Sequence, residues 1–260
     1  MGCAESRSCP ENLEFGIPID VPAKKGESQI YRSPFSTKEL VTKVERYPDC
    51  DNISQIIQEA LKKFSDKETF GKRLPGPNGT FGDYEWTTYT KIKNEIDLVG
   101  SALASNDLCV EDKQNNFRFV ALWGVNRREW TITDLSCFLH GIIVIPVYDN
   151  LGPDAITHIF NLTSVKTLIV CKDKIPKLLR GVQDKRFTPL RTIISMDGNI
   201  EPEYISLAKE VNINILTWTE FLKSGTKPAS YVSRKLDDVA MFSYTSGTTG
   251  LLKAAMLTEQ

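Results

Sequence analysis

The sequence predicts an α/β fold with a mostly parallel sheet flanked by helices. From residue 117 onwards, six apolar segments are predicted as strands: 117–125, 142–147, 165–171, 192–196, 213–218 and 239–243. Helix-like segments lie between most of them, near 128–139, 153–162, 174–183 and 202–211. Strands that are apolar throughout and alternate with helices are typical of a parallel sheet that is covered on both faces.

The first part of the chain follows a different pattern. Residues 1–50 are rich in proline, serine and charge without sustained periodicity, which predicts an extended arm. Apolar residues from Ile53 to Phe64 then recur at helical spacing, with Asp51 or Asn52 placed to cap the helix. A turn at 74–79, a short strand at 84–88 and a second helix at 92–103 follow. We therefore expect an arm at 1–50 and a folded domain at 51–260.

Composition excludes several classes of protein. Hydrophobic residues make up 41% of the 260 and charged residues 25%, as in an ordinary globular protein. The net charge of −1 gives no attraction to nucleic acid, and no apolar run is long enough to cross a bilayer. Six scattered cysteines and two histidines offer little material for a zinc site or a Ser-His-Asp triad. We assign no catalytic residue and no metal ligand, and we expect reduced thiols in the cytoplasm.

The first six residues fit a lipidation pattern. Gly2 and Ser6 match the N-myristoylation motif, and Cys3 is placed for palmitoylation. Two acyl chains anchor a protein stably where one does not, so this pair predicts a chain held at a membrane surface, for example that of the endoplasmic reticulum. The alternative is an irregular start that matches a loose motif by chance.

A glycine- and threonine-rich run follows the last apolar strand. Glycines let successive amide groups point into one hollow, hydroxyl groups add short donors, and Lys253 adds a positive charge. This chemistry predicts a loop around phosphate; the alternative is a hairpin turn without a ligand. The run is not a Walker A motif, because Leu252 stands where the second glycine would be. The predicted phosphate-binding residues are Thr245, Ser246, Gly247, Thr248, Thr249, Gly250 and Lys253.

Residues 244–258, Tyr-Thr-Ser-Gly-Thr-Thr-Gly-Leu-Leu-Lys-Ala-Ala-Met-Leu-Thr, resemble the AMP-binding signature of the acyl-adenylate-forming enzymes, YTSGTTG-x-PKG-[VA]-MLTH. Three further segments match elements of that family in order and spacing. They are Trp-Thr-Thr-Tyr at 86–89, Asn-Arg-Arg-Glu-Trp at 126–130, and Ile-Pro-Val-Tyr-Asp-Asn-Leu-Gly-Pro at 145–153. The last is similar to the VPLYDTLG segment of long-chain fatty acid–CoA ligases. The resemblance covers roughly residues 30–259.

This resemblance implies an enzyme that uses ATP, Mg²⁺ and coenzyme A. A fatty acid carboxylate attacks the α-phosphorus of ATP, and the thiol of coenzyme A then displaces AMP from the acyl-adenylate. Ser246, Thr248 and Thr249 would donate to phosphate oxygens, while the nearby glycines admit the backbone. Lys253 would balance the charge of pyrophosphate.

Other residues of the matching segments are predicted to be architectural. We expect Trp86 and Trp130 in the core and Arg127–Glu129 as a solvated helix start. Gly152 and Pro153 predict a turn into a helix. His140 and His158, which have apolar neighbours, are expected to be structural.

The signature changes towards its end. Leu251, Leu252, Ala254 and Glu259 differ from the usual residues. If position 254 requires a positive φ, alanine there costs on the order of 1 kcal/mol. Glu259 would bring a carboxylate towards a polyphosphate site, which is unfavourable.

Three hypotheses follow. The first is an incomplete N-terminal portion of the adenylate-forming fold, truncated after the phosphate loop and inactive alone. The second is a short, membrane-tethered pseudoenzyme that acts as a binding module. The third is an unrelated nucleotide-binding enzyme, against which the segments at 126–130 and 145–153 argue.

Overall fold

The computed structural model describes residues 16–34, 36, 38, 44, 46–112, 115–245 and 252–259. The chain divides into two compact units, Met1–Cys50 and Asp51–Gln260. In the first unit, β1 (Ile17–Pro18) and β2 (Tyr31–Arg32) pair antiparallel.

The second unit contains a seven-stranded sheet and a separate hairpin. The hairpin consists of the antiparallel strands β3 (Glu68–Pro75) and β4 (Phe81–Thr88). The large sheet consists of β5 (Phe119–Trp123), β6 (Ile143–Pro146), β7 (Thr167–Val170), β8 (Thr192–Ser195), β9 (Asn214–Thr217), β10 (Val239–Thr245) and β11 (Lys253–Thr258). Its order is β11-β10-β6-β5-β7-β8-β9, and every pairing is parallel except that of β10 with β11. The predicted mostly parallel sheet is confirmed.

Helices connect these strands much as the sequence predicts. They are α1 (Ile53–Lys63), α2 (Tyr89–Ser105), α3 (Arg128–His140), α4 (Pro153–Thr163), α5 (Ile175–Gln183), α6 (Pro202–Glu210) and α7 (Trp218–Ser224). Asn52 caps α1 by accepting a hydrogen bond from the Gln55 backbone N–H. Gly152 precedes α4 and Pro153 is its first residue, as predicted. The sequence did not predict α7, a short helix that begins with a capping box of Thr217 and Glu220.

The core lies on both faces of the large sheet. Along β5, Phe119, Ala121 and Trp123 belong to one buried cluster, and the alternating residues Val120 and Leu122 belong to another. Successive side chains of a strand point to opposite faces, so a strand that is buried on both faces is apolar throughout. This explains why the strand segments could be found in the sequence.

The topology defines the edge at which ligands gather in folds of this kind. After β5 the chain continues to β6 on one side, whereas after β7 it continues to β8 on the other. Connections from adjacent strands that leave in opposite directions open a crevice at the carboxyl ends of those strands. The parallel strand β10 also ends at this edge, with Thr245.

Candidate functional site

Two of the predicted phosphate-binding residues lie opposite each other at the carboxyl end of β10. Thr245 is the last residue of β10, Lys253 is the first of β11, and the two are paired in the antiparallel register. Both are exposed. The other five predicted residues, 246–250, lie outside the described residues, as does Leu251. The two strands therefore hold Thr245 and Lys253 at the carboxyl edge of the sheet, on either side of the predicted phosphate loop.

The altered residues Leu252 and Ala254 fit their surroundings. Ala254 lies in β11 opposite Tyr244. Its backbone φ is not positive. The backbone strain that alanine would cause at a positive φ therefore does not arise at position 254. Both Leu252 and Ala254 are partly buried against the apolar cluster that contains Tyr244. An alanine in an extended strand has no backbone penalty relative to glycine.

Tyr244 is buried one residue before Thr245. Burial raises the pKa of its hydroxyl to about 12, so the group is neutral at physiological pH. Within the described part of the chain, the hydroxyl has no hydrogen-bond partner. The ring packs in the core, and its hydroxyl oxygen is buried as well.

The expectation that Glu259 disturbs the phosphate site is wrong. β11 runs antiparallel to β10, so Glu259 lies beside the start of β10, at the opposite end from Thr245, and its backbone N–H donates to the Asp238 carbonyl. Its fully buried carboxylate accepts from Arg234 Nε at 3.0 Å and from the backbone N–H of Ser54 at 3.1 Å. Ser54 is in the first turn of α1, where the helix dipole favours a negative charge. Glu259 thus joins the last strand to the first helix of the unit.

The expectation of a solvated helix start at Arg127–Glu129 is also wrong. The Arg127 guanidinium is largely buried and donates to Glu129 at 2.7 Å, to Asp197 at 3.0 Å and to the Met196 carbonyl at 2.9 Å. Burial lowers the pKa of Arg127, but these hydrogen bonds outweigh burial and raise the pKa above its ordinary value. Arg127 therefore stays charged and ties the residues that follow β5 to those that follow β8.

Asp197 extends this network. Burial raises the pKa of its carboxyl group, but the hydrogen bond from the Lys172 backbone N–H and the ion pair with Arg127 outweigh burial and lower the pKa below its usual value. Since Lys172 follows β7, three strand ends are joined through one carboxylate. No local pattern in the sequence indicates this contact, because Arg127 and Asp197 are 70 residues apart.

A second polar group follows β6, the strand next to β10. Asp149 accepts a hydrogen bond from the indole N–H of buried Trp123 at 2.7 Å and pairs with Lys174 at 2.7 Å. The hydrogen bonds from Lys174 and Trp123 lower the pKa of Asp149. Lys177 lies over the Trp123 ring at 4.9 Å from its centroid. The carboxyl edge thus carries charged residues beyond the predicted loop.

The two histidines lie on different helices, α3 and α4. His140 is buried between α2 and the segment that contains Tyr231. Its ring packs edge to face against that of Tyr231, with the two ring centroids 5.3 Å apart. Its Nδ1 bonds to the Ser136 carbonyl at 2.8 Å, as expected for a structural residue. His158 is half-buried on α4.

In the described ranges, no three His, Cys, Asp or Glu side chains are grouped so that they would hold a metal ion. Within those same ranges, no helix has the length and apolarity that a bilayer crossing demands.

Solved structures with a similar fold include an adenylation domain and an AMP ligase. The adenylation domain of a carboxylate reductase from Mycobacterium chelonae superposes with a TM-score of 0.64 over 82% of this chain and 35% of that domain, at 16% identity. The fatty acid AMP ligase from Legionella pneumophila superposes with a TM-score of 0.54 over 83% of this chain and 32% of the ligase, at 16% identity. At such identities, the likeness establishes the fold.

Family comparison agrees with the fold and with the sequence signature. Residues 57–260 match the family model described as AMP-binding enzyme, and the chain belongs to that family.

Curated proteins that are similar to this chain include long-chain acyl-CoA synthetases. The peroxisomal long chain acyl-CoA synthetase 6 of Arabidopsis thaliana is 30% identical over 95% of this chain and 34% of its own length. Mouse long-chain-fatty-acid–CoA ligase 6 is 30% identical over 82% of this chain and 29% of its own length. The chain thus spans about a third of the length of these relatives.

Proposed function

We propose that this chain is an N-terminal portion of a long-chain fatty acid–CoA ligase, and that its turn between Thr245 and Lys253 binds the phosphates of ATP. The observation that carries the proposal is the position of the signature. It follows β10 at the carboxyl edge of a doubly wound sheet, which is where such folds bind ligands. The similarity to long-chain acyl-CoA synthetases supports the fatty acid as substrate.

The proposed reaction has two steps. A carboxylate oxygen of the fatty acid attacks the α-phosphorus of ATP, the bond from that phosphorus to the bridging oxygen breaks, and pyrophosphate leaves. The thiol of coenzyme A then attacks the acyl carbon, and AMP leaves as the thioester forms. The first step brings two anions together, so its barrier falls when donors and cations surround the phosphates.

Thr245 and Lys253 supply such groups. The hydroxyl of Thr245 can donate to a phosphate oxygen, and the ammonium group of Lys253 offers three donors and a positive charge. Ser246, Thr248 and Thr249 would add hydroxyls, and Gly247 and Gly250 would let the backbone amides approach. Mg²⁺ and coenzyme A are further requirements of the proposed reaction. Among the described residues, no three His, Cys, Asp or Glu side chains are grouped so that they would hold a metal ion. We assign no residue of this chain to Mg²⁺ or to coenzyme A.

ATP binding to the purified chain tests the phosphate turn. Titration calorimetry should show binding of ATP that is weakened roughly tenfold in Lys253→Ala, because a hydrogen bond to a charged group contributes about 1.5–3 kcal/mol. Lys223→Ala, which removes an exposed lysine from α7, is the charge-matched control. Equal affinities of the two variants would refute the proposed turn.

A separate experiment tests whether the chain is sufficient for catalysis. We propose that it is not, since it corresponds to a third of its relatives. ATP–pyrophosphate exchange with palmitate should therefore be no faster for the wild-type chain than for Lys253→Ala. Faster exchange by the wild-type chain would show that these residues suffice for adenylation.

The non-catalytic alternative and the anchor are tested independently. Gly2 and Cys3 lie outside the described residues. We propose that their acylation holds the cytoplasmic protein at a membrane surface such as that of the endoplasmic reticulum. In cells, a myristate analogue should label the chain and should not label Gly2→Ala. Equal labelling of both would rule out this anchor, and with it the membrane-tethered binding module.

A further inference from the structure

The β3–β4 hairpin carries an ordered row of rings on one face. Trp86 lies directly over Gly71 of the opposite strand, so closely that a Cβ at position 71 would be 2.9 Å from the indole. Tyr84 packs against Trp86 with ring centroids 5.5 Å apart. The Arg73 guanidinium then lies 5.8 Å from the Tyr84 centroid and 5.6 Å from that of Phe81. Arg73, Phe81, Tyr84 and Trp86 together form what we call the aromatic face.

The aromatic face is held in place by the hairpin itself. Arg73 Nε donates to the Gly82 carbonyl at 2.8 Å, and its Nη2 donates to the Phe81 carbonyl at 3.0 Å. Among the described residues, Nη1 of Arg73 has no hydrogen-bond partner. Because the guanidinium is fixed between two rings, ordering this face for binding requires little loss of side-chain entropy. One edge of the guanidinium remains for an external acceptor.

These rings are exposed, contrary to the expectation that Trp86 is buried. Trp86 is 50% exposed, Tyr84 57% and Phe81 59%. General burial of aromatic residues predicted a core position, but a two-stranded ribbon has no second layer to cover its rings. Together they expose roughly 350 Å² of surface, comparable to the largest patch of a typical monomer, and such patches are often functional.

Area and charge distinguish the candidate occupants. A stable dimer buries about 800 Å² on each partner, about twice what the three rings expose. The hairpin from Glu68 to Thr88 carries two cations, Lys72 and Arg73, against three carboxylates, Glu68, Asp83 and Glu85, so its net charge is −1. A nucleic acid or an anionic lipid surface requires excess positive charge, which this hairpin lacks.

We propose that the aromatic face is a docking surface for a zwitterionic lipid bilayer. Tyrosine and tryptophan combine an apolar body with a polar atom and are enriched at the level of lipid headgroups. The two hydrogen bonds of Arg73 use Nε and Nη2, so its Nη1 is suited to a headgroup phosphate. The contact depends neither on acylation of Gly2 nor on the proposed enzymatic activity, so each can fail without the others.

Sedimentation with sucrose-loaded vesicles tests this contact on the full chain, purified from bacteria without N-terminal acylation. The wild-type chain should bind phosphatidylcholine vesicles, and 20% phosphatidylserine should not strengthen binding. Phe81→Ser with Tyr84→Ser should lower the partition coefficient at least about tenfold, because about two thirds of the exposed ring surface is lost. Leu162→Ser is the matched control, since Leu162 on α4 is 57% exposed and lies outside the hairpin.

Fluorescence reports on the same contact without a disruptive substitution. Trp86 is half-exposed, whereas Trp123 and Trp218 are buried. Brominated phosphatidylcholine should quench the wild-type emission, and Trp86→Phe should abolish most of that quenching. The proposal is overturned if the wild-type chain does not bind phosphatidylcholine vesicles or if binding requires phosphatidylserine. It is also overturned if Leu162→Ser binds the vesicles as weakly as the variant with Phe81→Ser and Tyr84→Ser. It is equally overturned if the double substitution abolishes a dimer in solution and leaves vesicle binding unchanged.

Discussion

Replacing Glu259 by alanine should destabilise the Asp51–Gln260 unit by roughly 3–5 kcal/mol, the usual result of breaking a buried ion pair. The loss is large because Arg234, whose side chain is only 8% exposed, would keep its charge without its carboxylate partner. The Ser54 hydroxyl and backbone N–H would lose acceptors at 3.0–3.1 Å in the first turn of α1. Glu259→Gln should cost less, because the amide oxygen can still accept one of these hydrogen bonds.

Urea denaturation followed by far-ultraviolet circular dichroism measures this change. In thermal denaturation, the melting temperature of a unit of this size should fall by on the order of 10 °C. Glu210→Ala, at the exposed end of α6, is the control and should stay within about 0.5 kcal/mol of the wild type. In a double-mutant cycle, Arg234→Met combined with Glu259→Leu should recover part of the loss, because no unpaired charge is then buried. A change below about 1 kcal/mol in Glu259→Ala would refute the assignment of Glu259 as a buried link.

Two further predictions concern helix α3. In Gly100→Ala the new Cβ would lie 2.0 Å from Cε1 of His140, so α2 and α3 must shift, and the variant should lose about 1–3 kcal/mol in urea denaturation. Gly198→Ala is the control, because no atom lies within 4 Å of its new Cβ. An equal effect of both substitutions would contradict the packing argument. Burial raises the pKa of Asp134 from 3.8 to about 6, so the folded chain binds more protons than the unfolded chain between these values, and stability should fall as pH rises through that range. From pH 4 to pH 7, the free energy of unfolding of Asp134→Asn should therefore rise by about 2 kcal/mol relative to that of the wild type. If the difference in free energy between the two proteins does not depend on pH, the raised pKa of Asp134 is excluded as its cause.

The sequence was most informative where local pattern and burial coincide. Strands such as β7 and β8 are buried on both faces and therefore appear as uninterrupted apolar runs. The strand β3 was not predicted, because it is largely exposed, mixes charged and apolar residues, and is stabilised by pairing with β4. α7 was not predicted because it has only seven residues.

The candidate site was predictable in its motif and not in its surroundings. Thr245 and Lys253 were predicted as site residues because a phosphate loop requires glycine, hydroxyl and lysine residues close together in sequence, and their role in binding phosphate stays a prediction. The contacts of Arg127 and Glu259 join residues that are far apart in the chain, and no local pattern encodes them. Charged residues at a helix start are solvated on average, and only the packed structure shows which of them has a buried partner.

The link between Ser54 and Glu259 also has a consequence for folding. It joins residues 205 positions apart, and the backbone N–H of Ile53 donates to the Glu259 carbonyl at the same place. Contacts of such long sequence separation close a large loop and form slowly. During synthesis, the first turn of α1 emerges long before its partner carboxylate. A chain that stops before Glu259 would leave the backbone N–H of Ser54 and Nε of Arg234 without their acceptor, even though all seven strands of the sheet were present.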